Sequence, residues 1–381
     1  MKIAKHNLFK SFTVATLIIF LLSPSAIFCQ NETSLTDWAM GPFIRPENVN
    51  PILKPDKKNL FTDPMTNKKI AWEGNDVFNP AATVKSNKIY VLYRAEDTTG
   101  IAIGTRTSRI GLAESNNGIT MKRHPFPVLY PAHDSQKEFE WTGGCEDPRI
   151  AVTQDGTFVM FYTQWNKKVP RLGVATSKDL LHWKKYGPIF RKAYNGRFFN
   201  TPSKSASIVT KVVNGRQVIA KINGQYLLYW GEHFVNVATS IDLVNWKPIL
   251  NEKNELLRVM QTRPGYFDSD LTECGPPAVI TSKGILLIYN GKNKPGGEGD
   301  LRYTANTYAA GQALFSNDDP KKLIIRLDKP FFVPTEPFEK SGQYPAGTVF
   351  TEGLVYFKGK WYLYYGCADS KVAVAIYDPR R

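Results

Sequence analysis

Hydrophobic residues along this chain fall in short runs that alternate with polar ones, with almost none of the three- and four-residue spacing of an amphipathic helix. The clearest runs are aromatic-rich and occur five times: Ile89–Arg94 (IYVLYR), Phe158–Thr163 (FVMFYT), Tyr226–Gly231 (YLLYWG), Ile285–Asn290 (ILLIYN) and Trp361–Gly366 (WYLYYG). Turn signals precede them, among them Asp155-Gly156, Asn223-Gly224, Lys283-Gly284 and Lys358-Gly359. A shorter strand pattern comes before each copy, at 78–83, 146–152, 205–209, 273–279 and 352–356, and a third follows at 110–113, 173–176, 236–239 and 372–376. Two copies continue with nearly the same words, Ser177–Trp183 (SKDLLHW) and Ser240–Trp246 (SIDLVNW), where the tryptophan reads as a packing device between stacked sheets. Antiparallel units repeating every 60–75 residues or so predict an all-β fold, a five-bladed β-propeller, occupying residues 30–381 as a single domain. Residues 30–75 would supply an approach segment and an outer strand that helps close the ring. The stretches 291–299 and 309–345 would be inter-blade loops.

The start of the chain follows a different pattern. Lys2, Lys5 and Lys10 precede an apolar core from Phe12 to Leu22 and a breaker at Ser23–Ala26, so residues 1–29 read as a signal peptide, too short in its apolar part to span a bilayer. The protein is therefore expected to be exported, periplasmic or extracellular, with no integral membrane segment after the leader is removed. A lipoprotein anchor at Cys29 is disfavoured by Phe28 before it. The remaining cysteines, Cys145, Cys274 and Cys367, are odd in number and scattered, which suits neither a disulfide framework nor a zinc site and leaves them as small buried hydrophobes. The net charge of +15 is spread over lysines that stand singly or in pairs, a solvated basic surface rather than a nucleic-acid groove. No metal or organic cofactor is implied, and the oligomeric state cannot be read from these features.

Candidate chemistry starts at Gly143–Ile150 (GGCEDPRI), where two acids, a proline and an arginine open a buried strand. Strand alternation puts Glu146 and Asp147 on opposite faces. Asp147 would then face the channel, with Glu146 and Arg149 left to a structural ion pair. Innermost strands of a propeller line the channel, so the same position is read across the repeats: Asn79, Glu146/Asp147, Lys204/Ser205, Glu273 and Glu352. The ends of the second strands add Arg94 and Glu96, Gln164, Glu232, Asn290 and Asp369. A polar ring where a core would be apolar argues for a ligand funnel. Carboxylates and amides bordered by Trp141, Trp165, Trp230 and Tyr289 suit a carbohydrate, whose hydroxyls need acceptors and whose faces need flat apolar surfaces. Cleaving a glycosidic bond needs an acid on the leaving oxygen and a second carboxylate to activate water. Glu232 and Glu273, on adjacent blades, are candidates for that pair, with Asp147 facing them.

The motifs Phe78-Asn79-Pro80-Ala81, Tyr93-Arg94-Ala95-Glu96, Gly144–Arg149 and Tyr365–Asp369, in this order, resemble glycoside hydrolase family 130, five-bladed propellers acting on β-mannosides; the resemblance runs from about residue 40 to the C-terminus. That family holds phosphorylases, which bind phosphate with Arg, Lys and His, and hydrolases. Trp230-Gly231-Glu232 and Thr272–Pro277 look like the hydrolase branch. The resemblance implies that Asn79, Arg94, Asp147 and Asp369 bind the terminal mannose, Asp147 close to the reacting centre. Glu232 and Glu273 would be the acid–base pair of an inverting hydrolysis, without saying which is the acid. Lys221 is a further substrate-binding candidate that otherwise flanks a hairpin turn. The expectation is an exported inverting β-mannosidase acting on β-1,2-linked manno-oligosaccharides. A β-mannoside phosphorylase of the same fold, kept open by Lys204, Lys221 and His233, and a non-catalytic sugar-binding propeller are the alternatives.

Overall fold

The structure, a computed structural model, describes residues 35–380; the leader expected at 1–29 lies outside them. Each aromatic run forms the second strand of a four-stranded-type antiparallel blade, since its alternating side chains can pack on both faces at once. Blade 1 comprises Asp76–Lys85, Lys88–Glu96, Ser108–Ser115 and Lys122–Arg123. Blade 2 comprises Gly144–Val152, Phe158–Trp165, Pro170–Ser177 and Lys184–Pro188. In blade 3 the strands Ala206–Val213, Gln225–Trp230 and Phe234–Ser240 are followed by Lys247–Pro248 and Arg258–Gln261, which both pair with the third strand. Blade 5 contains Val349–Phe357, Lys360–Cys367 and Lys371–Tyr377.

Blade 4 departs from the sequence reading twice. Its inner strand is split into Leu271–Cys274 and Ala278–Ile280, because Pro276 and Pro277 have no N–H to give the ladder. Its third and fourth strands, Tyr308–Phe315 and Leu323–Arg326, lie in the stretch expected to be a loop. The third strand reads Tyr-Ala-Ala-Gly-Gln-Ala-Leu-Phe, too small-residue-rich to signal a strand. Gly311 is required there: it pairs with Tyr289, and a Cβ would sit 2.5 Å from the tyrosine ring.

The outer edge of blade 5 is completed from the other end of the chain. Ile44 exchanges backbone hydrogen bonds with Ile376 and Leu53 with Val372, and the Asn50 side chain bonds both backbone groups of Val374. The N-terminal segment therefore edges blade 5 through two isolated bridges and the Asn50 side chain, without forming a regular strand. Five hydrophobic clusters hold the ring, one between each pair of neighbouring blades; Phe161 of blade 2, for instance, meets Trp246 of blade 3 with centroids 5.6 Å apart. The three cysteines are free and buried. Among the described residues no helix is long and apolar enough to cross a membrane.

Candidate active site

The inner strands do not run straight past the channel. Their pairing register shifts between Phe78 and Pro80, between Glu146 and Arg149, and between Thr351 and Gly353. Asn79, Asp147 and Ser205 adopt positive φ values of 47°, 48° and 59°. Such bulges re-aim side chains and concentrate at functional sites, where strain is held by the surrounding structure. The bulge also overturns the expected alternation of Glu146 and Asp147. Both reach the same guanidinium, that of Arg94: Nη2 lies 2.9 Å from Glu146 Oε1 and Nη1 lies 3.1 Å from Asp147 Oδ1.

Arg94 is the hub of this half of the site. It also pairs with Glu96 at 2.7 Å and donates from Nε to Ser108 Oγ at 3.0 Å. Asn79 Nδ2 donates to Asp147 Oδ1 at 2.9 Å, and Lys204 Nζ stands 3.9 Å from Asp147 Oδ2. Burial alone would raise the Asp147 carboxyl, but Arg94, Lys204, Arg149 and the Asn79 bond together hold it well below the ordinary carboxylate range. Asp147 is thus a fixed anion, suited to accepting hydrogen bonds from hydroxyls. Asp369 follows the second strand of blade 5; burial, aided by Asp147, Glu96 and Asp76 against Arg94, pushes it up to about 7. Asn79, Arg94, Asp147 and Asp369 are therefore brought together.

The second half pairs two glutamates. Cys274 N–H donates to Gly231 O at 3.2 Å and Thr272 Oγ1 to His233 O at 3.1 Å, so Glu232 and Glu273 stand opposite each other across two antiparallel segments. Their surroundings differ. Glu273 is buried, accepts from Ser205 Oγ, and lies 3.7 Å from Arg149. Burial and the neighbouring Glu232 push its carboxyl up to about 8, against Arg149 and Lys204. Glu232 is partly exposed on the wall of a cleft of about 770 Å³ that also shows Lys204, His233, Phe234, Asn251 and Arg258. Lys204 is surrounded by Asp147, Glu146, Glu232 and Glu273, which keep its ammonium charged despite burial.

Lys221 does not join them. It is exposed at the far end of the second strand of blade 3, paired with Tyr226 and 4.8 Å above that ring, while the site lies beyond Trp230 at the other end. The hairpin flank is its place. Gln164 turns to Glu140 and Tyr162, and Asn290 stitches blade 4 to Thr351 of blade 5. Tyr289 is a core residue whose hydroxyl donates to Asp268. Sequence reasoning undervalued Lys204, Ser205, Arg149 and Glu352, although three of them fall on the repeated inner-strand position. A second cavity of about 440 Å³ lies at the opposite mouth of the channel, between residues such as Val84, Ile150, Arg216 and Phe357, away from the paired carboxylates.

Comparison with known proteins gives the same direction. The profile of the family described as β-1,4-mannooligosaccharide phosphorylase, glycoside hydrolase family 130, matches residues 45–380. A 1,2-β-oligomannan phosphorylase of Thermoanaerobacter sp. (strain X514) is 32% identical over 314 residues, 81% of this chain and 91% of that protein. The solved structure of a putative glycosidase from Bacteroides thetaiotaomicron VPI-5482 is 65% identical, with TM-score 0.90, over 91% of this chain and 99% of that one. A further solved structure, 60% identical with TM-score 0.90 over 91% and 97% of the two chains, carries the description that the GH130 family of mannoside phosphorylases contains glycoside hydrolases that target β-1,2 mannosidic linkages in Candida mannan. With a family match over most of its length, a propeller fold and the paired carboxylates in its channel, this chain belongs to glycoside hydrolase family 130.

Proposed function

We propose that this protein is an inverting β-mannosidase that hydrolyses β-1,2-linked manno-oligosaccharides, and that it works outside the cytoplasm after loss of its leader. The observation that carries the reading is the unequal pair Glu232 and Glu273, opposite each other but in different surroundings. The terminal mannose sits against Asn79, Arg94, Asp147 and Asp369, whose polar groups accept hydrogen bonds from its hydroxyls and donate to them. Glu273, holding its proton to about pH 8, is the general acid and delivers that proton to the glycosidic oxygen as the bond breaks. Glu232, on the open wall of the cleft, is the base that takes a proton from the attacking water. Water adds to the face opposite the leaving group, so the released mannose is the α-anomer. The rest of the oligosaccharide leaves through the cleft.

What supports hydrolysis among the relatives is a solved structure 60% identical, described with hydrolases that target β-1,2 mannosidic linkages, whereas the phosphorylase relatives are 22–32% identical. The phosphorylase reading has one observation of its own, the basic residues Lys204, His233 and Arg258 in the same cleft as Glu232. Lys204, however, already faces four carboxylates, which would repel a phosphate there. The test is the rate of mannose release from β-1,2-mannobiose in phosphate-free buffer. A rate unchanged on adding phosphate is expected. A rate that vanishes without phosphate would transfer the protein to the phosphorylases, and no turnover of any mannoside would leave a sugar-binding propeller.

A further inference from the structure

The two oxygens of the Glu273 carboxyl have unequal surroundings. Oε1 accepts from Ser205 Oγ and lies 3.7 Å from Nη2 of Arg149, whereas Oε2 receives no hydrogen bond among the described residues. Ser205 is fully buried, and Glu273 Oε1 is the one partner of its hydroxyl there. Were the carboxyl the donor, the serine hydrogen would be buried without an acceptor, so Ser205 donates and Oε1 accepts. The backbone holds this pair in place. Gly231 N–H reaches Ser205 O at 3.2 Å, and Gly231 O accepts from Cys274 N–H at 3.2 Å, so Ser205 and Glu273 are tied to either side of the residue before Glu232. A Cβ on Gly231 would sit 2.0 Å from Phe234 O, which reserves that position for glycine. Ser205 itself adopts a φ of 59°, where a glycine would be unstrained, yet the position carries a hydroxyl.

We propose that Ser205 is a positioning residue for the acid: by occupying Oε1 of Glu273 it places the transferable proton on Oε2 and stabilises the carboxylate left behind. The inference rests on Glu273 being the general acid. An oxygen that faces a hydroxyl donor and a guanidinium is a poor seat for a proton, because donor would meet donor. Arg149 cannot take the role alone. At 3.7 Å its Nη2 is beyond hydrogen-bond range of Oε1, and its terminal nitrogens already serve the carbonyls of Asp147 at 3.1 Å and Cys274 at 3.0 Å. In the step itself the Oε2 proton passes to the glycosidic oxygen, which keeps the electron pair of the broken bond. The water that adds to the anomeric carbon gives its proton to Glu232. The other titratable groups facing Glu273 are Glu232 after the second strand of blade 3, Lys204 before its inner strand, Cys274 and Tyr308 of blade 4, and Glu352 of blade 5, which stands 3.0 Å from Arg149. Deleting the Ser205 hydroxyl removes none of them.

Ser205→Ala and Ser205→Gly both delete the hydroxyl, and the glycine variant, free to hold φ near 59°, serves if the alanine variant does not fold. In either, kcat on β-1,2-mannobiose should fall about tenfold, the worth of one hydrogen bond to a developing charge, with KM within about twofold. A donor to a carboxylate favours its charged form, so losing it should carry the basic limb of the kcat/KM profile upward by about half a pH unit. The Glu273 carboxyl resonance of ¹³C-glutamate-labelled protein, assigned with Glu273→Gln, should titrate upward with it. A limb that stays in place would overturn the role of Ser205, whether kcat falls or not and whether the resonance moves or not. Glu273→Gln then shows what falls with it: lost turnover leaves Glu273 as the acid without help from Ser205, and near-normal turnover removes the acid assignment itself.

Discussion

Asp147 and Glu273 are both buried carboxyls within one funnel, and their neighbours drive them in opposite directions. Asp147 has Arg94, Lys204 and Asn79 around its oxygens and stays ionised, whereas Glu273 has Glu232 beside it and stays protonated to about pH 8. Asp147→Asn should lower kcat/KM about 10²-fold, since it removes a charge that accepts substrate hydroxyls, with little loss of folded protein. Glu232→Gln and Glu273→Gln should each lower kcat by about 10²–10⁴-fold; near-normal turnover in either would remove that residue from the pair. For the unsubstituted enzyme, the ionisation of Glu273 should end activity as pH rises through about 8. Lys221→Ala, by contrast, should leave kcat/KM within about twofold, because an exposed hairpin flank touches nothing in the site. The residues proposed to bind the sugar were legible because each repeats a position along the chain. Lys221 was misplaced because proximity in sequence to Glu232 says nothing about which end of a strand a side chain occupies. Arg149 and Glu352 could not be joined in advance, since their meeting depends on the bulge after Glu146.

Within the blades a second repeated device appears. A tyrosine near the end of the second strand donates to a buried carboxylate on the segment before the blade, and that carboxylate pairs with a cation on the outermost strand. The sets are Tyr93–Glu73–Arg123, Tyr162–Glu140–Lys185, Tyr289–Asp268–Arg326 and Tyr365–Glu339–Arg45. Blade 3 has Trp230 at this position and lacks the set. In blade 5 the cation, Arg45, arrives from the N-terminal segment, 2.7 Å from Glu339, so the lock that blades 1, 2 and 4 make for themselves becomes the clasp of the ring. Arg45→Met should cost about 3 kcal/mol in urea unfolding, because it leaves the buried Glu339 carboxylate without its cation. Adding Glu339→Gln should recover part of that loss, and an unchanged midpoint would mean that the segment does not hold the ring. The tyrosines were visible as a repeat, but their carboxylates fall outside the strand patterns, on the segments before the blades: Glu73, Glu140 and Asp268 stand 20, 22 and 21 residues before their tyrosines and Glu339 stands 26 before Tyr365. The third strand of blade 4 escaped notice for a related reason: its alanines and Gly311 make room for Tyr289 instead of advertising a strand.

Over the whole molecule, the fivefold pattern was legible because every second strand must face a neighbour on both sides, which forces the same aromatic run five times. Collecting the channel ends of five blades gathers Glu273, Glu352 and Asp369 in one buried place, with a cost that depends on pH. All three carboxyls are raised by folding, to about 8 for Glu273 and about 7 for Asp369. Each therefore contributes stability that is complete below its unfolded value and lost as pH climbs through its folded one. Glu273→Gln removes one such loss, so its Tm should match that of the unsubstituted protein at pH 5 and exceed it at pH 9; equal values at pH 9 would deny that Glu273 is held protonated. The central claim, inverting hydrolysis by the unequal pair Glu232 and Glu273, is tested most directly by a ¹H NMR time course on β-1,2-mannobiose in phosphate-free buffer. α-Mannose appearing first, before mutarotation, is the expected result. β-Mannose first, or α-mannose 1-phosphate formed only when phosphate is supplied, would contradict it.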